Sequence, residues 1–376
     1  MINTTIFGAE LKRIGFEFYS GVPCSYLKDL INFAINECEY VTASNEGEAV
    51  AIAAGAAIGG KKAVVLMQNS GLSNAVSPLV SLIYPFQIPI LGFVSLRGEP
   101  GLSDEPQHEL MGQITPQMLS IMKIKWEYLS SDFEEVRRQL ERANQCIENN
   151  ESYFFIVKKG TFEPVVLVEK QMKKSITIVK REKVTDDQLP SRYEALRMIN
   201  SLKDSETIQL ATTGKTGREL YELEDACNNL YMVGSMGCVS SLGLGLALTR
   251  TEKMIIALDG DGSLLMRMGN LATNGHYSPP NLLHILLDNH IHDSTGGQHT
   301  VSHNVNFVDV AASCGYAHSI YVHNLEELEK CIKSWKQHPK LTFLYLKIAK
   351  GSKKGLGRPN IKPHEVKERL QVFLDD

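Results

Sequence analysis

The chain has 376 residues, 43% of them hydrophobic, and a formal net charge of −4. At roughly 100–200 residues per domain, this length predicts two or three domains with sizeable cores, and the small, dispersed charge excludes a nucleic-acid surface. Seven scattered cysteines without Cys-x-x-Cys spacing argue against a disulfide framework or structural zinc and for a reducing cytoplasm; no apolar run nears the ~18 residues of a membrane span.

Met1–Gly8 lacks the charged and apolar regions of a secretory signal, so none is expected. The turn Gly21-Val22-Pro23-Cys24-Ser25-Tyr26 comes early. Asn45-Glu46-Gly47-Glu48 then opens a helix of small residues, Ala53–Gly59, which leads to a strand over Ala63–Met67 and the polar loop Gln68–Gly71. A strand follows at Ile88–Val94, then the loop Asp104–Leu110 with His108, a helix over Phe133–Asn149 and a strand at Tyr153–Val157. From Pro164 to Leu189 the pattern weakens into Val/Lys-rich sequence that predicts an extended connection.

Beyond it the order repeats. A strand at Ile208–Thr212 runs into the Gly-rich turn Thr213–Arg218, and Gly234-Ser235-Met236-Gly237 precedes a second small-residue helix, Ser240–Ala247. A strand at Met254–Leu258 stops at Asp259-Gly260-Asp261-Gly262-Ser263. A further strand, Leu282–Leu287, stops at Asp288-Asn289, before the hydroxyl-rich loop His292–Gln298, a helix over Leu325–Gln337 and a strand at Thr342–Ile348. Short apolar strands alternating with helices predict an α/β fold with doubly wound parallel sheets. We place the first domain at 1–165, a linker at 166–189 and the second domain at 190–376.

Strands that stop at a carboxylate or an amide bring hard oxygen donors to the carboxyl edge of a sheet, where open α/β folds bind ligands. Asp261 supplies a carboxylate and Asn289, 28 residues on, an amide oxygen; magnesium takes such ligands together with phosphate oxygens. Amides of the turn at Gly214-Lys215-Thr216 can also face phosphate. The turn is no nucleotide-binding P-loop, because Gln209 stands where the first glycine is required. Two carboxylates, Glu46 and Glu48, open the first small-residue helix; Glu48 reads as a solvated first-turn charge favoured by the helix dipole.

Gly260-Asp261-Gly262 followed by Asp288-Asn289 resembles the cofactor motif of the thiamin-diphosphate-dependent decarboxylase family, although Asp288 stands where asparagine is commoner. The resemblance spans nearly the whole chain and implies two similar domains, the first gripping the aminopyrimidine ring and the second the diphosphate. It implies magnesium held by Asp261, Asn289 and the carbonyl of Ile291. Glu46, in the pattern Glu-x-x-Ala, is implied as the carboxylate that activates the cofactor, and Met236 as the apolar wedge beneath its rings. Gly71, Gly214, Lys215, Thr216, Ser235, Gly260, Gly262 and Ser263 are expected around the cofactor.

His108 is expected as an acid-base group, and Ser25 stands where several keto-acid decarboxylases carry an acid. A hydroxyl there donates to a second anion that an acid would repel. Leu96–Gly101, Thr213–Glu219, Ser294–Gln298 and Leu356–Pro359 strengthen the likeness to the branch whose 2-keto acid substrate carries a phosphonate. Ser25, Arg97, Lys215, Arg218, Ser294 and Thr295 are the candidate substrate contacts, and Arg97, Lys215, Arg218 and Arg358 are expected to be available cations. The implied reaction is decarboxylation of 3-phosphonopyruvate. A sulfonate analogue is the alternative substrate, and a non-catalytic cofactor-binding subunit the alternative class. The family also implies a homodimer or larger homo-oligomer with sites between subunits, and no nucleic-acid or membrane partner.

Overall fold

The computed structural model describes residues 1–168, 176–181 and 188–375. The chain divides into two compact units, Met1–Met172 and Lys173–Asp376.

The first unit is built on a six-stranded sheet of β1 (Phe16–Gly21), β2 (Glu39–Thr42), β3 (Lys62–Gln68), β4 (Ile90–Ser95), β5 (Lys125–Tyr128) and β6 (Tyr153–Val157). Its order is β2-β1-β3-β4-β6-β5 and every pairing is parallel. Central strands are covered on both faces and so read as continuous apolar runs; β4 and β6 are buried along their whole length. The expected strand at Ile88–Val94 starts two residues late, because Pro89 has no N–H to give to the ladder. Phe93 stacks on Phe155 at 5.4 Å and meets the edge of Phe7 at 5.8 Å, at the centre of one core face.

The second unit holds β7 (Ile178–Lys180), β8 (Thr207–Ala211), β9 (Asn229–Tyr231), β10 (Met254–Gly260), β11 (Leu282–Asp288), β14 (His318–Val322) and β15 (Thr342–Lys347) in one parallel sheet. A small antiparallel hairpin joins β12 (Ile291–His292) to β13 (Gln298–His299). Read from its far edge, the large sheet runs β9-β8-β10-β11-β15-β14-β7. Apart from the added β7, that is the first sheet's order strand for strand. The stretch 166–189, expected as an extended connection, contributes an edge strand, paired with β14 through Ile178, Val179 and Lys180. Residues 169–175 and 182–187 of that stretch lie outside the described residues.

In each sheet one strand order reverses, between β1 and β3 and between β8 and β10. Such switch points open a crevice at the carboxyl ends of the strands. A helix of small residues leads into the strand beside each crevice: Glu46–Ile58 before β3, buried throughout, and Val239–Thr249 before β10, buried from Val239 to Ala247. Their near-complete burial explains their composition, since small side chains let a helix lie close against a sheet.

Candidate active-site residues

At the switch point of the first unit, Asn45 caps the helix by accepting from the Glu48 N–H at 3.0 Å, which sets Glu46 at the first helical position. Glu46 is 9% exposed, and its Oε2 accepts from Asn74 at 2.9 Å. Its carboxylate lies directly on the backbone of Gly71, where a Cβ atom would stand 1.9 Å from Oε1. Gly71 is thus required by Glu46 itself. Glu48 is not the solvated charge its position predicted. It is fully buried, and its Oε2 accepts from the N–H of Ser44 at 2.7 Å and from the Ser44 hydroxyl, tying down the turn before the helix.

Ser25 follows β1, and Arg97 lies two residues beyond β4. They meet: Arg97 Nη1 donates to Ser25 Oγ at 3.1 Å. Arg97 is not the available cation expected of it. Its Nε donates to Asp104 at 2.7 Å, its Nη2 pairs with the same carboxylate, and its guanidinium lies over the Tyr26 ring at 4.9 Å. This guanidinium holds the Asp104 carboxyl far below its ordinary range. Asn69 fixes the loop by donating to the Arg97 carbonyl at 2.8 Å and accepting from its N–H at 3.2 Å. His108 is buried at 6% exposure, and its Nδ1 has no hydrogen-bond partner among the described residues. A buried imidazole nitrogen without a partner carries a desolvation cost that surface placement would avoid.

In the second unit one cavity is lined by the residues around both strand ends. They include Gly214, Lys215, Thr216, Met236, Gly260–Ser263, Asn289, Ile291, Ser294 and Thr295, with Arg192 and Asp293. Of the expected residues in this unit, Ser235 and Arg218 do not line it. Ser235 instead takes a left-handed conformation, φ 52°, rare for a residue with a side chain, in the turn that presents Met236. Thr212 Oγ1 and Ser263 Oγ lie 2.9 Å apart, and Ser263 accepts from the Gly237 N–H at 3.0 Å, binding three of these turns together. Gly262 permits the approach of His292, whose Cε1 would lie 2.5 Å from a Cβ there.

The oxygen donors fit a divalent cation. Asp261 opens the helix Asp261–Met266, is 3% exposed, and accepts from Thr300 Oγ1 at 2.5 Å. Asn289, also 3% exposed, accepts from the Ile291 N–H at 3.2 Å and donates from Nδ2 to Asp293 at 2.7 Å. Asp261, Asp288 and His290 also bring ligand atoms within 4.8 Å of one another. Asp288 is committed elsewhere, however: Oδ1 accepts from the His290 N–H at 2.8 Å and Oδ2 from the Tyr345 hydroxyl at 2.9 Å. Asn289 and Ile291, not Asp288, line the cavity. Burial and the neighbouring Asp261 carboxylate push the Asp288 carboxyl up to about 6. Two buried carboxylates at such range leave the site short of positive charge, which a divalent cation supplies.

Sequence reasoning missed a buried ionic chain beside this cavity. Arg192, at the first position of the helix Arg192–Ser201, donates to Asp293 at 2.5 Å, and its Nη1 lies 3.8 Å from Glu219. Glu219 is fully buried, accepts from the Lys353 N–H at 2.9 Å, and is raised by burial. One signal was available: a cation in the first turn opposes the helix dipole, so it needs carboxylates elsewhere.

Residues 4–119 match the thiamine pyrophosphate enzyme N-terminal TPP binding domain, and residues 213–346 match the thiamine pyrophosphate enzyme C-terminal TPP binding domain. With these two domains, each on its own parallel sheet, the chain belongs to the thiamin-diphosphate-dependent decarboxylase family. Within it the chain is 39% identical, over 100% of its own length and 95% of the relative's, to phosphonopyruvate decarboxylase of Streptomyces hygroscopicus. Sulfopyruvate decarboxylase of Methanosarcina acetivorans is 29% identical over 97% of this chain and 96% of its own. In fold it resembles benzoylformate decarboxylase from Polynucleobacter necessarius (TM-score 0.73, 14% identity, 94% of this chain and 100% of that one). No helix among the described residues is long and apolar enough to cross a membrane.

Proposed function

We propose that the chain decarboxylates 3-phosphonopyruvate, without oxidation, to phosphonoacetaldehyde and carbon dioxide, using thiamin diphosphate and magnesium. The observation that carries this reading is the full-length identity of 39% to a phosphonopyruvate decarboxylase. The 29% likeness to a sulfopyruvate decarboxylase keeps a sulfonate substrate as the runner-up. Glu46 and the pair Asp261 and Asn289 occur in one chain, which weighs against a non-catalytic subunit, since a half of a split enzyme would carry only one of the two sets.

Thiamin diphosphate, when bound, supplies a nucleophilic carbon and an electron sink for the departing carboxylate. Asp261, Asn289 and the Ile291 carbonyl would hold magnesium, and the turns at Gly214–Thr216 and Gly260–Ser263 would receive the diphosphate. Met236 would support the rings. Glu46, buried and hydrogen-bonded by Asn74, would face the pyrimidine nitrogen and share a proton with it. Ser25 and Arg97 Nη1 meet the second anion of the substrate, with Lys215, Arg218, Ser294 and Thr295 as further contacts, and His108 transfers protons at the substrate. Each turnover exchanges the carboxylate for one proton. The enzyme works as a homodimer or larger homo-oligomer with sites between subunits, in a reducing cytoplasm that suits its free cysteines.

The test is carbon dioxide release from 3-phosphonopyruvate, sulfopyruvate and pyruvate, with and without thiamin diphosphate and magnesium. Highest kcat/KM for phosphonopyruvate, only with both additions, is the expected result. A higher kcat/KM for sulfopyruvate would move the assignment to the runner-up.

A further inference from the structure

The geometry points to Arg192 and Asp293 as a positioning pair that sets which end of the Asn289 amide faces magnesium; this rests on the proposal above that Asn289 is a metal ligand. An amide side chain has one donating and one accepting end, and only the oxygen can bind a hard cation. Asn289 Nδ2 donates to Asp293 Oδ2 at 2.7 Å, and Arg192 Nη2 donates to that same oxygen at 2.5 Å. A flipped amide would set its oxygen against the Asp293 carboxylate inside a buried site. Asp293 therefore selects the orientation, and Arg192 holds Asp293 in place.

The pair is built into the interior. The Arg192 and Asp293 side chains are 7% and 9% exposed, and the Glu219 side chain, on the far side of Arg192, is fully buried. Arg192 tolerates the unfavourable helix-dipole position because two carboxylates flank it. It also ties the loop after β12, which carries Asp293, to the helix Arg192–Ser201, so the metal ligand is held by an element outside the metal loops. Groups that orient a ligand in this way commonly change metal affinity 10–100-fold when removed.

Calorimetric titration of magnesium into full-length protein at saturating thiamin diphosphate tests the pair, alongside melting of the metal-free protein. Asp293→Ala should weaken magnesium binding roughly 10–100-fold, whereas Asp293→Asn, whose amide oxygen still accepts from both donors, should recover most of it. A purely structural role would lower the melting temperature and leave magnesium affinity within about twofold of wild type; that result overturns the proposal.

Should Asp293→Ala fail to fold, the exchange of donor and acceptor decides. Asn289→Asp alone should lose affinity by facing carboxylate to carboxylate, and Asn289→Asp with Asp293→Asn should regain it; no gain from the second change overturns the proposal. Asp261→Ala runs in parallel. Wild type that takes up thiamin diphosphate equally well without magnesium would sink the metal assignment itself, independently of Asp293.

Discussion

Glu46 is held by a missing atom. Because a Cβ at position 71 would stand 1.9 Å from its Oε1, Gly71→Ala must push the carboxylate aside. We expect Gly71→Ala to lose at least ~100-fold in kcat, about 2.7 kcal/mol of barrier, and to resemble Glu46→Gln. In both, thiamin diphosphate should still bind while exchange of its C2 proton, followed by NMR in deuterated buffer, slows by orders of magnitude. Exchange at the wild-type rate in Glu46→Gln would assign the role to another carboxylate. Arg97 supports a second expectation. Asp104 occupies the Nε–Nη2 edge of its guanidinium and aims Nη1 at Ser25. Asp104→Asn should release that aim, raising KM for phosphonopyruvate about tenfold with kcat within about threefold, the pattern of lost uniform binding. Steady-state kinetics in which kcat falls and KM does not would place Arg97 at the chemistry and not at the remote anion.

At the scale of elements, the edge strand β5 shows how a weakly apolar segment is secured. Glu127 receives two bonds from Arg142, at 2.9 and 2.8 Å, one from Gln139 at 3.0 Å, and the Tyr153 hydroxyl. Arg142 is the main reason its carboxyl is lowered to about 2 from 4.5. A depressed carboxyl stabilises the fold above its unfolded value and loses that contribution as pH falls through the folded one. Glu127→Gln should therefore cost on the order of 1 kcal/mol at pH 7, allowing for partial exposure. Urea midpoints of variant and wild type should converge as pH drops from about 5 toward 3; a constant gap would mean that packing, not charge, secures the strand.

The same element marks the limit of what sequence conveyed. The runs of β10 and β11 were legible because covered strands are apolar throughout. Lys125-Trp126-Glu127-Tyr128 was not, since a half-exposed edge strand mixes charge with aromatics. Gly260–Ser263 and Asn289 could be read from residue type and spacing. Arg192, Glu219 and Asp293 come from three distant segments, and only folding shows that their charges converge. Arg97 was legible as a cation, but its engagement by Asp104 was not, because nothing in the spacing orients two side chains.

At the scale of the whole molecule, the proposed assembly can be tested by mixing. Glu46→Gln and Asp261→Ala chains, each inactive alone, should regain part of the activity when their subunits exchange, because a hybrid dimer carries one site with both groups intact. Proof of exchange by native mass spectrometry without recovery of turnover would place both groups of each site in a single chain.

The two large sheets share one strand order, apart from the added β7, and both open a crevice at the same point of that order. A division of labour between them cannot then lie in the sheets. It is written in the segments that leave corresponding strand ends: Ser25 after the first strand and Gly71 after the third in one unit, Gly214 and Asp261 in the other. The two units follow one folding plan and differ where chain turns meet the crevice, like two equal mouths that speak different words.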